Sequence, residues 1–178
     1  MEILGISGSL NRDSSNTRLL RDVRRLAGGE HDVTVLELLD ALPHFSPDRD
    51  REPALASVAE LRRAVRDADA VVFATPEYAG GMPGVLKNAL DWLVGSGELY
   101  DKPTVVVSAA PSVERGQRAR ASVELTLRMQ GAHVCDSFTV AVAKDQSAEQ
   151  RTTQAGAVYE RMVDALVNRP CTAVGTER

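Results

Sequence analysis

Five short apolar runs, rich in β-branched residues, punctuate the chain at Glu2–Ser7, Asp32–Leu38, Ala70–Thr75, Thr104–Ala109 and Val134–Val142. Each predicts a strand. Val71-Val72-Phe73 and Val105-Val106-Val107 are nearly unbroken, the pattern of strands covered on both faces at the centre of a parallel sheet. Between the runs the apolar positions change to helical spacing: Leu19, Leu20, Val23, Leu26 and Ala27 after the first, then Val58, Leu61, Val65 and Ala68 after the second. Further helices are predicted over 83–95, 117–130 and 147–168. Pro83 suits a first helical position, and Gly28 and Gly131 stand where left-handed residues close helices. Asp40–Pro53, with Pro43, Pro47 and Pro53, predicts an exposed loop.

Alternating strands and helices predict an α/β domain, and 178 residues suit one such unit, expected over 1–170 with a tail at 171–178. The units can be wound as a sheet of order 2-1-3-4-5 or as half of a dinucleotide-binding fold. Both put ligands at the carboxyl ends of strands, so the loops after strands one, three and four are the places to look.

Charge narrows the partners. Lys and Arg number 21 against 25 Asp and Glu, a net charge of −4, which gives no electrostatic footprint for a phosphate backbone. Seven aromatic residues are too few for base-stacking platforms, so no nucleic-acid partner is expected. The arginines in groups such as Arg21, Arg24, Arg25 and Arg62, Arg63, Arg66 read as solvated helix faces. Cys135 and Cys171 lack CxxC spacing, which argues against a metal site or structural disulfide and for a reducing cytoplasm. No apolar run approaches a membrane span, so a soluble chain without a membrane partner is expected.

After the first strand the chain reads Gly8-Ser9-Leu10-Asn11-Arg12-Asp13-Ser14-Ser15-Asn16-Thr17. Four hydroxyl residues and two asparagines within positions 9–17 exceed what one helix cap needs. Hydroxyls, amides and a helix N-terminus together suit a phosphate dianion. The lysine of a triphosphate-binding P-loop is absent, as is the third glycine of GxGxxG, which leaves a monophosphate. Glu37, at the end of the second strand, reads as a strand-end charge.

After the third strand comes Thr75-Pro76-Glu77-Tyr78-Ala79-Gly80-Gly81-Met82-Pro83-Gly84-Val85-Leu86-Lys87-Asn88-Ala89-Leu90-Asp91-Trp92. Together with the GSLxxxSxN pattern at 8–16, this TPEY…PGxLKNAxDW string resembles the NADPH-dependent FMN reductase family, over roughly residues 1–140. The resemblance implies a flavodoxin-like three-layer sandwich with a five-stranded parallel sheet of order 2-1-3-4-5. It implies an NAD(P)H-dependent oxidoreductase that binds FMN, takes hydride from NADPH or NADH, and passes electrons to free flavin, a quinone or another small acceptor. Cofactor contacts are expected from Ser9, Asn11, Ser14, Asn16 and Thr17 at the phosphate, from Pro76, Glu77, Tyr78, Ala79 and Gly80 along the ring edge, and from Ser108 and Gly116 near the ring's N1 side. No catalytic acid–base side chain and no metal are expected, because the flavin does the chemistry. A homodimer or homotetramer is implied, through the helix at 83–95 and the one after strand four.

Three departures from the family pattern stand out. Asn11 occupies a position where many members have Arg. Ala79-Gly80-Gly81 replaces the common Asn-Gly-Ser, and the 109–118 loop matches only at Ser108 and Gly116. Arg115 or Arg118 is a candidate cation near the flavin's N1 edge, against the simpler reading of both as surface arginines. Trp92 falls on the apolar face with Leu86, Ala89, Leu90 and Leu93 and is expected in the core or an interface. The rival readings are an FMN electron carrier without direct NAD(P)H oxidation and a flavin-free interaction module.

Overall fold

The computed structural model describes residues 1–29 and 31–168. In chain order the elements are β1 (Glu2–Ser7), α1 (Ser15–Leu26), β2 (Asp32–Leu36), α2 (Ala56–Asp67), β3 (Ala70–Ala74), α3 (Gly84–Asp91), β4 (Pro103–Ala110), α4 (Gln117–Met129), β5 (His133–Ala141) and α5 (Ala148–Val167). The strands form one parallel sheet in the order β2-β1-β3-β4-β5, the winding expected from the resemblance. Gly5 pairs with Val35 on one side and Val72 on the other, so the sheet reverses direction of growth at β1 and β3. Loops leaving these two strands therefore diverge and open a crevice.

Side-chain alternation divides the sheet between two cores. Ile3, Val72, Ala74, Val105 and Val107 pack beneath α1 and α5, against Leu20, Val23, Val158 and Met162. Leu4, Ile6, Val71, Phe73 and Val106 face α2, α3 and α4, against Leu61, Val65, Leu90 and Leu127. All five residues of β3 are buried, which is why its sequence shows no alternation. Among the described residues no helix is long and apolar enough to cross a membrane.

Several expectations need correction. Helix α3 ends at Asp91 rather than near 95, and the segment at 40–53 is not a free loop. That segment carries two short 3₁₀ turns, Leu39–Ala41 and Pro47–Arg49, and buries Leu39 and Leu42. It is latched to α3: the Pro43 carbonyl accepts from Trp92 Nε1 (2.8 Å) and Asn88 Nδ2 (2.9 Å), and Phe45 N–H donates to Asn88 Oδ1 (2.8 Å). The Phe45 ring meets Trp92 edge-on at 5.1 Å, and Trp92 is fully buried.

The arginines are not uniformly solvated either. Arg62 is buried; its guanidinium donates to the Trp92 carbonyl and pairs with Asp50, while Arg66 pairs with Glu98 at 3.0 Å. A buried charge needs such partners. Gly131 closes α4 in the left-handed region, but after α1 that conformation falls on Gly29 rather than Gly28. Cys135 is not a free thiol, contrary to the expectation of two unpaired cysteines. Cys171 and the tail expected at 171–178 lie outside the described residues.

Asn88→Ala leaves both Phe45 N–H and the Pro43 carbonyl short of a partner. It is expected to cost about 2 kcal/mol in equilibrium urea unfolding. A loss below about 0.5 kcal/mol would show that the latch does not hold the segment.

Candidate functional site

The loop after β1 is shaped by its own side chains. Gly8 N–H donates to the Ala74 carbonyl (2.8 Å), fastening the loop to the end of β3, and a Cβ at Gly8 would fall 3.0 Å from Leu86 Cδ2. Ser9 N–H then donates to Ser7 Oγ, Asn11 N–H to Ser9 Oγ, Asp13 N–H to Asn11 Oδ1, and Asn16 N–H to Ser14 Oγ. Ser14 is thereby the N-cap of α1.

The remaining two expected phosphate contacts are engaged as well. Asn16 is 2% exposed; its Oδ1 accepts from Ala109 N–H (2.8 Å) and its Nδ2 donates to the Ala109 carbonyl (3.3 Å). Thr17 Oγ1 shares a hydrogen bond with Ser7 Oγ (2.8 Å). What the loop leaves unclaimed is backbone. The amides of Leu10, Arg12, Ser15 and Thr17 meet no acceptor among the described residues. Ser15 and Thr17 lie in the first turn of α1, at the positive end of the helix dipole.

The loop after β3 carries a tight turn. Tyr78 and Gly81 exchange both backbone hydrogen bonds, at 3.1 and 3.0 Å, and the two residues between them have positive φ, Ala79 at 49° and Gly80 at 77°. This is the mirror-image turn that favours Asn-Gly or Gly-Gly, so Ala79 is held in a conformation that disfavours a Cβ by about 1 kcal/mol. Tyr78 is 56% exposed.

Just before the turn, Glu77 reaches α4. Its Oε2 accepts from the backbone N–H groups of Arg118 (3.0 Å) and Ala119 (3.3 Å). Helix α4 starts after Gly116, which has φ 81° and no side chain to cap with, so Glu77 supplies the missing acceptor from another loop.

At the end of β4, Ser108 is fully buried, and its Oγ has no hydrogen-bond partner. A Cβ on Gly116 would sit 2.2 Å from that oxygen, so glycine is required there by contact as well as by φ. Between the two loops opens a cleft of about 540 Å³, lined by Pro76, Glu77, the 108–111 segment and the 114–118 segment. At its rim the Ser112 hydroxyl holds the Glu114 carboxyl below the usual carboxylate range. Arg118 lies against Gly80.

A smaller cleft of about 230 Å³ lies at the ends of β1 and β2, lined among others by Ser9, Asn11, Thr17, Arg21 and Glu37. Glu37 stands just past β2 and makes a two-point pair with Arg21 at 2.8 and 2.7 Å, which lowers the Glu37 pKa. Among the described residues no group of three or more His, Cys, Asp or Glu is arranged to hold a metal.

The structure thus gathers Pro76, Glu77, Ser108 and Gly116 around one cleft, with Tyr78, Ala79 and Gly80 forming the turn beside it. Ser9, Asn11 and Thr17 line the smaller cleft, and Ser14 and Asn16 are buried in the α1 terminus. Sequence reasoning missed the partner of Glu77. The available signal was a helix beginning at Gly116-Gln117 with no capping side chain of its own.

Residues 1–147 match the family model described as NADPH-dependent FMN reductase. The chain is 31% identical over 157 residues to the NADH:(hydroxy)cinnamate reductase subunit CrdA of Vibrio ruber, covering 86% of this chain and 77% of that protein. It is 32% identical over 123 residues to a quinone reductase of Escherichia coli, covering 67% of this chain and 65% of that enzyme's length. Among solved structures it resembles FerB of Paracoccus denitrificans, described as a flavoenzyme NAD(P)H:(acceptor) oxidoreductase. There the TM-score is 0.77 at 25% identity, covering 94% of this chain and 98% of the other.

Substitutions at two positions test the local physics. Ala79→Asn relieves the left-handed alanine and is expected to raise stability by about 0.5 kcal/mol. Glu77→Ala removes the α4 cap and is expected to lower stability by about 1 kcal/mol, with Glu77→Gln losing less because an acceptor remains. Urea unfolding of the three variants beside the parent chain reads both. A neutral Glu77→Ala would sink the capping argument.

Proposed function

The chain belongs to the NADPH-dependent FMN reductase family, and on that premise we propose that the cleft between the β3 and β4 loops seats the FMN ring. The phosphate then lies at the α1 N-terminus. The observation that carries this reading is the Ser108 hydroxyl, buried and unpartnered at the floor of the cleft. Of the four buried side-chain atoms without a partner among the described residues, Ser108 Oγ is the one whose residue lines this cleft, and such a group calls for a partner, a ligand or an ordered water. The four unclaimed amides of the 10–17 loop supply a donor set suited to a phosphate dianion without lysine.

Bound FMN supplies the hydride-accepting and hydride-donating chemistry. The chain's own residues position it. Gly116 lets the 114–118 backbone approach the Ser108 hydroxyl, and Glu77 fixes the start of α4 against the β3 loop. Asn16 holds the phosphate loop at a set distance from β4. The Tyr78–Gly81 turn borders the cleft and leaves an exposed phenol ring, a surface for a planar nicotinamide or acceptor to lie against. The substrates in this reading are NADPH or NADH as reductant and a flavin, quinone or similar small acceptor. Self-association belongs to the same reading: Leu125 and Met129, one turn apart on α4, are 65% and 80% exposed and suit a second copy.

Purified protein supplied with FMN is expected to bind it at micromolar concentration, by quenching of flavin fluorescence, and to oxidise NADPH or NADH faster than FMN alone. No binding, or no excess oxidation, would reject the reading. Ser108→Ala gives a sharper check. It is expected to leave the FMN-free protein as stable as before or up to about 1 kcal/mol more stable, while weakening FMN affinity roughly tenfold.

A further inference from the structure

Charge at the mouth of the large cleft is unevenly committed. Glu77 is engaged as the cap of α4, and Glu114 stands on the rim with its pKa lowered by the neighbouring Ser112 hydroxyl. Arg115 and Arg118 are both exposed, and neither guanidinium has an ion pair or hydrogen bond among the described residues. Elsewhere Arg21, Arg25, Arg62, Arg66, Arg120 and Arg161 are engaged, while the guanidinium groups of Arg12, Arg24, Arg49, Arg51 and Arg63 are, like those of Arg115 and Arg118, without an ion pair or hydrogen bond among the described residues; what sets Arg115 and Arg118 apart is that they line the large cleft.

Arg118 is also placed, not merely free. Its own backbone N–H is fixed by Glu77, and its side chain lines the cleft and reaches the β3 turn. There Nη1 lies 3.6 Å and Cδ 3.8 Å from where a Cβ on Gly80 would stand. Gly80 and Gly81 carry no side chain that would cover or pair with it, and the exposed ring of Tyr78 is in the same turn. A planar, always-charged donor fork on the lining of the cleft, in a chain of net charge −4, is a selective element for molecules carrying an oxyanion.

We propose that Arg118 is a specificity residue of the cleft, engaging an oxyanion on the ligand that enters over the FMN ring. This deepens the function proposed above and rests on it. Two sources carry that chemistry: the phosphates of the nicotinamide nucleotide, and a carboxylate or sulfonate on an acceptor. Arg115, on the same rim, is the second cation in reach of such a group.

The test uses FMN-loaded protein, as the parent chain, Arg118→Ala and Arg118→Lys. In one arm kcat/KM is compared for NADH and for N-benzyl-dihydronicotinamide, which lacks phosphate. In the other it is compared for naphthoquinone sulfonate and unsubstituted naphthoquinone. Arg118→Ala is expected to lower the charged-to-neutral ratio by at least about threefold in one arm or both, with Arg118→Lys between it and the parent, and the arm that moves identifies the source. Calorimetric titration with naphthalene carboxylate and naphthalene carboxamide, neither of which is reduced, reads the same preference without turnover. Only the carboxylate should lose affinity in Arg118→Ala. Ratios that stay within threefold in both arms, with equal affinity changes for the two naphthalenes, overturn the proposal. If the parent chain oxidises no nicotinamide at all, the enzymatic reading fails, and the titration still decides the fate of Arg118.

Discussion

The cleft keeps its shape because the Asn16 side-chain amide clasps the backbone of Ala109 through both of its functional ends. One hydrogen bond would allow rotation; an acceptor and a donor on one residue fix both distance and angle. The contact is buried, so neither bond competes with water, and breaking either strands a polar group. From this point the other restraints follow outward. Ser14 caps the helix that carries Asn16, Gly8 binds the same loop to the end of β3, and Glu77 carries the β3 loop on to α4. Three loops that leave three different strands are thereby locked to one another by hydrogen bonds of the chain itself.

Much of the fold was legible because its signals are local. The unbroken apolar runs at 71–73 and 105–107 mark strands covered on both faces, and the structure buries them so. The helical periods at Leu19–Val23 and Val58–Val65 mark the faces that meet the sheet. The sequence shows which residue types stand at the strand ends and not how they are wired to one another. Asn16 was read as a phosphate contact because its type and position suit one, but composition does not disclose that Ala109 lies opposite, 93 residues away. Arg62 was read as solvated for a similar reason: its partners, the Trp92 carbonyl and Asp50, are supplied by other segments.

The long string from Thr75 to Trp92 shows how a motif mixes two kinds of residue. Its first half lines the cleft through Pro76 and Glu77 and then forms the turn at 78–81. Its second half is architectural. Asn88 and Trp92 hold the Pro43–Phe45 segment, and Lys87 pairs with Asp91 one helical turn on. The departures cluster in the first half and in the 109–118 loop, where backbone and a few side chains bound an open space. Substitution is easier there than at Leu86, Ala89 and Leu90 of α3, which are buried in the core.

The unpartnered hydroxyl of Ser108 has a consequence beyond the cleft. In the proposed reading FMN completes this group, so the ligand-free form is the less stable one and binding shifts the folding equilibrium by mass action. In a cell, where transiently unfolded chains are removed by proteolysis, the steady-state amount of this protein would then track the flavin supply. A serine at the floor of a crevice would in that way make the lifetime of the polypeptide a readout of its cofactor.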